Sequence, residues 1–106
     1  MIKYERCKDV FEQFVDNYDR DNDKISLKYF HTLRVADFCE KIAESLNLSK
    51  EDIAIAKLTG LLHDIGRFEQ VKIYDTYNDL VSVDHAFLGF KILEKNDYIN
   101  NYIEDE

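Results

Sequence analysis

Apolar positions recur at helical spacing along most of the chain. Val10, Phe11, Phe14, Val15 and Tyr18 form a stripe at intervals of three and four that predicts a first helix over 2–18. Asp16 to Lys24, D-N-Y-D-R-D-N-D-K, has too few apolar residues to pack and reads as a solvated linker. Its Asp/Asn alternation lacks the Gly and closing Glu of an EF-hand loop, so calcium is set aside. A second helix is expected from Leu27 to Leu46, with Leu33, Ala36, Ala43 and Leu46 in one apolar row and Val35, Phe38, Cys39 and Ile42 widening it. His31 continues that stripe near its N-terminal end. Ser49 with Asp52 resembles a capping box and opens a third helix, Lys50 to about His63, carrying Ile53, Ala54, Ala56, Leu58, Leu61 and Leu62. Ala54, Ala56 and Gly60 are small enough for close helix approach, and Gly66 suits a left-handed cap.

From Arg67 to Val81 the pattern dissolves, which predicts a loop or a short irregular piece. Ser82 is the expected N-cap of a helix over Val83–Lys95, with Ala86, Phe87, Phe90, Ile92 and Leu93 facing inward and His85 in its first turn. Asn96 or Asp97 would cap a last short helix, Tyr98 to Glu104. Zero Pro and three Gly agree with an all-α fold, and 106 residues with one domain over 1–106. The expected architecture is a compact bundle of about five helices.

A hydrophobic content of 45% with seven Phe and seven Tyr is enough for a core. The net charge of -8 argues against nucleic acid or an anionic membrane as a partner held by charge. It leaves room for a small phosphate ester, because a bound metal locally outweighs a negative field. No apolar run reaches the roughly 18 residues of a membrane span, and the charged N-terminus does not read as a signal peptide. Cys7 and Cys39 read as small core residues in a reducing cytoplasm.

The chemistry concentrates in Leu58 to Phe68, L-T-G-L-L-H-D-I-G-R-F, where an apolar helix ends in His63-Asp64. The other two histidines, His31 and His85, lie 32 residues before and 22 after His63, room for one helix and its connection each time. Neutral imidazoles with a carboxylate suit Mn, Fe, Co, Ni or Zn, and a bundle interior can gather one ligand from each of several helices. Water on such an ion becomes a nucleophile near neutral pH. A single His on an apolar face is more often a hydrogen-bonded core residue, and an Asp after a helix a cap, so the spacing alone leaves both readings open.

The residues H-T-L-R-V-A-D-F around His31, L-L-H-D-I-G-R at His63-Asp64 and D-H-A-F-L-G-F-K-I-L at His85 closely resemble the HD-domain superfamily of metal-dependent phosphohydrolases, over about Phe30 to Leu93. The resemblance implies that His31, His63 and Asp64 bind a divalent transition metal. It makes His85 a further histidine near a second ion or the substrate phosphate. Arg34 and Arg67 become candidates to hold phosphate oxygens, each with surface or helix packing as the alternative. Glu69 and Asp84 are candidates to orient ligands, and Lys72 is expected to be solvated. One departure from the family is plain: its second Asp, on a later helix, has no clear counterpart among Asp97 and Asp105. The chain is therefore expected to lack the C-terminal part of the domain, which would expose apolar faces and favour a homodimer. The expected activity is hydrolysis of a phosphate mono- or diester, of a nucleotide in the first instance, by a metal-bound hydroxide, with Asp64, Arg34 and Arg67 as catalytic residues. The alternative is a catalytically inactive helical binding or regulatory module that still binds metal.

Overall fold

The computed structural model describes residues 2–103. Among these, five α-helices and a closing 3-10 helix form an all-α bundle, in agreement with the sequence. Helix α1, Tyr4–Val15, buries Cys7, Phe11 and Val15, each four residues from the last and so on one face. Helix α2, Asp23–Ser45, begins four residues before the expected Leu27. Asn22 caps it by accepting the Lys24 amide at 2.8 Å, so the tail of the acidic linker is helical. Its interior row is Ile25, Thr32, Ala36 and Ala43. Phe38, Ile42 and Leu46 are 60–64% exposed, a narrower apolar face than the sequence suggested.

Helix α3, Lys50–Leu62, starts as expected on Ser49, whose hydroxyl accepts the Asp52 amide at 3.1 Å. It runs antiparallel to α2 across the short turn at 46–49. Lys57 pairs with Asp37 and Glu40 at 3.5 and 3.0 Å, and Gly60 lies on Ala36. A Cβ at Gly60 would sit 2.9 Å from the Ala36 Cα, so this residue sets the interhelical distance.

The stretch expected to be irregular contains helix α4, Gly66–Tyr74. Phe68, fully buried, is its anchor, with ring centroids 5.8–5.9 Å from Phe11, Phe14 and Tyr18. The pattern hid this helix because a glutamine, Gln70, occupies one of its four buried positions. Gly66 does not take the expected left-handed conformation; Asp75, at φ 53°, caps α4 instead. Gly66 opens α4 and lies against the backbone of helix α5, His85–Glu94, where a Cβ would meet the His85 carbonyl oxygen at 2.0 Å and the Gly89 nitrogen at 2.5 Å.

Asp84, not Ser82, caps α5, accepting the Ala86 amide at 2.8 Å. Contrary to expectation, Ala86 is exposed and Phe87 and Phe90 are 51% and 57% exposed. The glycine contact turns Gly89 inward, with Ile92 and Leu93 only half-buried, so the aromatic pair points away. Asn96 and Asp97 do not cap a final α-helix. They take left-handed backbone, φ 54° and 56°, and kink the 3-10 helix Lys95–Asn101. Beyond it Tyr102 returns to the core, its carbonyl accepting the Cys7 thiol at 3.0 Å. Glu104, the expected end of that helix, lies outside the described residues. Among those described, no helix is long and apolar enough to cross a membrane.

The two glycines at the α4–α5 contact are not equivalent. A Cβ at Gly89 meets nothing closer than 3.4 Å, an ordinary contact. Gly66→Ala is expected to destabilise the fold by roughly 2–3 kcal/mol through backbone overlap, whereas Gly89→Ala should be neutral or gain up to about 1 kcal/mol of helix propensity. Urea denaturation of both variants measures the difference; equal effects would show that the contact does not set the packing.

Candidate metal centre

Asp64 sits where α3 gives way to α4, and only 8% of it is exposed. Three imidazoles face its carboxylate through Nε2. His63 lies 3.1 Å and His31 4.0 Å from Oδ2, while His85 lies 3.5 Å from Oδ1. The antiparallel α2–α3 pair delivers His31 opposite Asp64, and the Gly66–α5 contact delivers His85. One donor atom each from His31, His63 and Asp64 falls within a 4.8 Å group, and a second such group is Asp79, Asp84 and His85.

The other ring nitrogens are committed. The Nδ1 of His63 lies 2.6 Å from the Gly60 carbonyl, which can only accept, so that nitrogen carries the proton. The Nδ1 of His85 lies 2.9 Å from Asp79 Oδ2, and the His85 amide donates to Asp79 Oδ1 at 3.1 Å. In their neutral forms both rings therefore turn a lone pair toward a carboxylate that is itself all acceptors. Only positive charge between them makes that arrangement favourable: a proton, an ammonium or a metal ion.

The electrostatics agree. Burial alone would raise the Asp64 carboxyl, but hydrogen bonds with His63 and Lys28 outweigh it and hold the group well below the usual carboxylate range. His63 is raised, chiefly by its bond to Asp64 and against burial. His31 is lowered, first by burial and then by the charge of Lys28. Asp79 is lowered by its bonds from His85. Two or three imidazole nitrogens with a buried carboxylate are a donor set that fits a first-row divalent ion, and Gly60 and Asp79 supply the orienting bonds that metal-binding histidines usually have.

The four residues expected to bind metal thus come together. Arg34 is exposed at the rim and, among the described residues, makes no hydrogen bond or ion pair; its charge reaches His31. Arg67 is not open to solvent in the way a phosphate-holding side chain would be. Its Nη1 donates to the Tyr77 carbonyl at 2.8 Å, Gln70 Oε1 at 3.0 Å and Asp79 Oδ1 at 3.3 Å. Its buried Nε, without a hydrogen bond, stands 3.8 Å from Asp64 Oδ1. Glu69 is elsewhere, accepting from the Tyr18 hydroxyl at 2.7 Å, and Lys72 is exposed above the same ring. Asp84 caps α5 with its carboxylate 3.7 Å from His85 Nδ1. Asp97 belongs to neither donor group, and Asp105 lies outside the described residues.

Four residues escaped the sequence reading. Lys28 reaches Asp64 Oδ2 at 3.1 Å, and its place one turn before His31 was the available signal. Asp79 orients His85. Gln70, fully buried, donates to Asp79 and to the Ser82 hydroxyl, each at 2.8 Å. Tyr77 ties the loop between α4 and α5 to α2 by donating to the Lys24 carbonyl.

Residues 29–105 match the family model of the HD domain. Ribonuclease Y from two strains of Ureaplasma parvum serovar 3 is 38% identical over 74 residues, which is 70% of this chain. That match spans 14% of the length of these curated relatives. No solved structure matches. With the family model covering most of the chain and all four of the converging residues, the chain belongs to the HD domain family, which falls within a superfamily of metal-dependent phosphohydrolases.

Proposed function

We propose that this chain hydrolyses a phosphate mono- or diester of a small molecule, a nucleotide in the first instance, with a divalent transition ion held by His31, His63 and Asp64 and with His85 on the far side of the carboxylate. The observation that carries the reading is the pair of imidazoles whose Nδ1 protons are committed to Gly60 and Asp79 while their Nε2 atoms face Asp64. A neutral structural histidine would not turn its lone pair on a carboxylate without a cation between them. When bound, such an ion would lower the pKa of water and draw charge from a phosphoryl oxygen.

The chain's own residues have separable tasks in this reading. Asp64 supplies the negative charge that holds a cation, and Gly60 and Asp79 keep two rings in the tautomer a ligand requires. Arg34, exposed and with no ion-pair partner among the described residues, is the arginine available to a phosphate oxygen. Arg67 acts through the loop, holding Tyr77 and Asp79 in place and hence His85. The relatives' name makes them ribonucleases, which keeps a phosphodiester within the class of substrate. With a net charge of -8, a single nucleotide rather than a polymer is the better match for this chain. The unpaired thiols of Cys7 and Cys39 suit a cytoplasmic location, and the exposed Phe87 and Phe90 a homodimer. The second reading, a metal-binding module without turnover, rests on the donor group around Asp64, which among the described residues holds His31 and His63 and no second Asp.

Two outcomes test this. Mn or Ni at 100 times its Kd should stabilise the protein by about 2.7 kcal/mol, and differential scanning fluorimetry should show no such shift in Asp64→Asn. Hydrolysis of a panel of phosphate mono- and diesters should require added metal and fall at least about a hundredfold in His63→Ala, as expected when a charge-stabilising group is removed. A metal shift without turnover would favour the binding module, and turnover surviving in His63→Ala would remove the catalytic assignment.

A further inference from the structure

Of the two permanently charged side chains beside Asp64, Lys28 is nearer than Arg67. Its ammonium lies 3.1 Å from Oδ2, the same oxygen that His63 and His31 face. The side chain is 17% exposed, so it is not a solvent lysine resting on the surface. It is held from the other side by the Tyr77 ring, whose centroid is 5.1 Å away. Tyr77 is in turn fixed through its carbonyl to Arg67 and through its hydroxyl to the Lys24 carbonyl, one turn before Lys28. The ammonium therefore occupies a prepared position on the oxygen that an ion bound by His31, His63 and Asp64 would need.

We propose that Lys28 is the built-in counter-ion of Asp64, which a divalent ion must displace, and that the displaced ammonium then binds the oxygens of the substrate phosphate. The proposal rests on the metal-site reading above. A divalent ion and an ammonium cannot share one carboxylate oxygen without strong repulsion, so loading the site breaks the Lys28–Asp64 pair. That leaves a partly buried ammonium beside a second cation and without a partner. Tyr77 offers it only a ring face. An anion at the mouth of the site removes the repulsion, and a phosphoryl group is the anion that reading supplies. Lys28 thereby weakens metal affinity and strengthens phosphate affinity through one side chain.

The test uses the full chain at fixed pH and ionic strength, with Lys28→Met, which keeps the apolar stem, and Lys28→Arg, which keeps the charge. Isothermal titration with Mn alone should give about tenfold tighter binding in Lys28→Met, equivalent to about 1.4 kcal/mol. Titration of the Mn-loaded protein with inorganic phosphate should give binding at least about tenfold weaker. Lys28→Arg should stay within about threefold of wild type in both. The variant's melting temperature without metal checks that it is folded. A lysine that only supports packing would lower both affinities or neither, and any combination other than tighter Mn with weaker phosphate overturns the proposal. If wild type and Lys28→Met both fail to bind Mn, the metal-site reading itself falls. If both bind equally, and His63→Ala does not, that reading stands and the role of Lys28 is gone.

Discussion

A carboxylate almost wholly removed from water has to be surrounded by positive charge or by donors, or it will not stay ionised. Asp64 meets that demand with very little hydrogen-bond donation from the backbone. Around it stand Lys28, the guanidinium of Arg67 and three imidazoles, on segments from α2, the α3–α4 junction, α4 and α5. The penalty for burying an unpaired charge is several kcal/mol, far more than the worth of a surface ion pair. Each of these segments is therefore tied to the others by the need to keep Asp64 neutralised. Fold and site are in this sense one problem.

Two contacts of the backbone solve it. Gly60 lets α3 close on Ala36, and Gly66 lets the start of α4 touch the start of α5. The first brings His31 over Asp64. The second places the His85 backbone against a residue only two positions beyond Asp64, close enough for its ring to reach the same carboxylate. Glycines inside helices cost about 1 kcal/mol each in propensity. Here they are tolerated because larger residues would push apart the elements that carry the three histidines and Asp64. The loop between α4 and α5 completes the arrangement from its outer side, with Gln70 and Arg67 holding Asp79, and Asp79 holding His85.

Much of this was open to reading in the residues. The helices α1, α2 and α3 follow from apolar spacing and the Ser49 cap. In the structure the antiparallel pair folded at the short turn 46–49 reflects position 31 onto position 64, a consequence of helix lengths that lay outside the sequence reading. The family motifs identify the same residues independently. What stayed hidden has specific causes. Helix α4 is stabilised by one phenylalanine in an aromatic cluster and by a buried glutamine, so no apolar stripe announces it. On α5 the inward position is a glycine, and the more hydrophobic Phe87 and Phe90 misled the choice of face. Lys28, Gln70 and Asp79 are polar residues whose importance lies in long-range partners 36, 9 and 6 positions away, and side-chain type alone does not reveal such pairings. Arg67 was legible as a residue near the site, but not as one already engaged by its own loop.

With a divalent ion bound, the charge at the site would oppose the overall charge of the chain, and distance decides between them. Acidic residues give a net charge of -8, yet salt screens exposed charges beyond about 8 Å at physiological ionic strength. Inside that radius an approaching ligand meets Lys28 and Arg67 around Asp64, with Arg34 on the adjoining turn of α2. Without metal, Lys28 balances Asp64 and the local field is weak. A divalent ion on Asp64 would add two positive charges and free a third, in a setting where water is partly excluded and each charge counts for more. An acidic protein can then attract an anion at a single point while its surface repels polyanions. Under the function proposed above, a small phosphate ester meets both conditions, and a long nucleic-acid strand meets only the first.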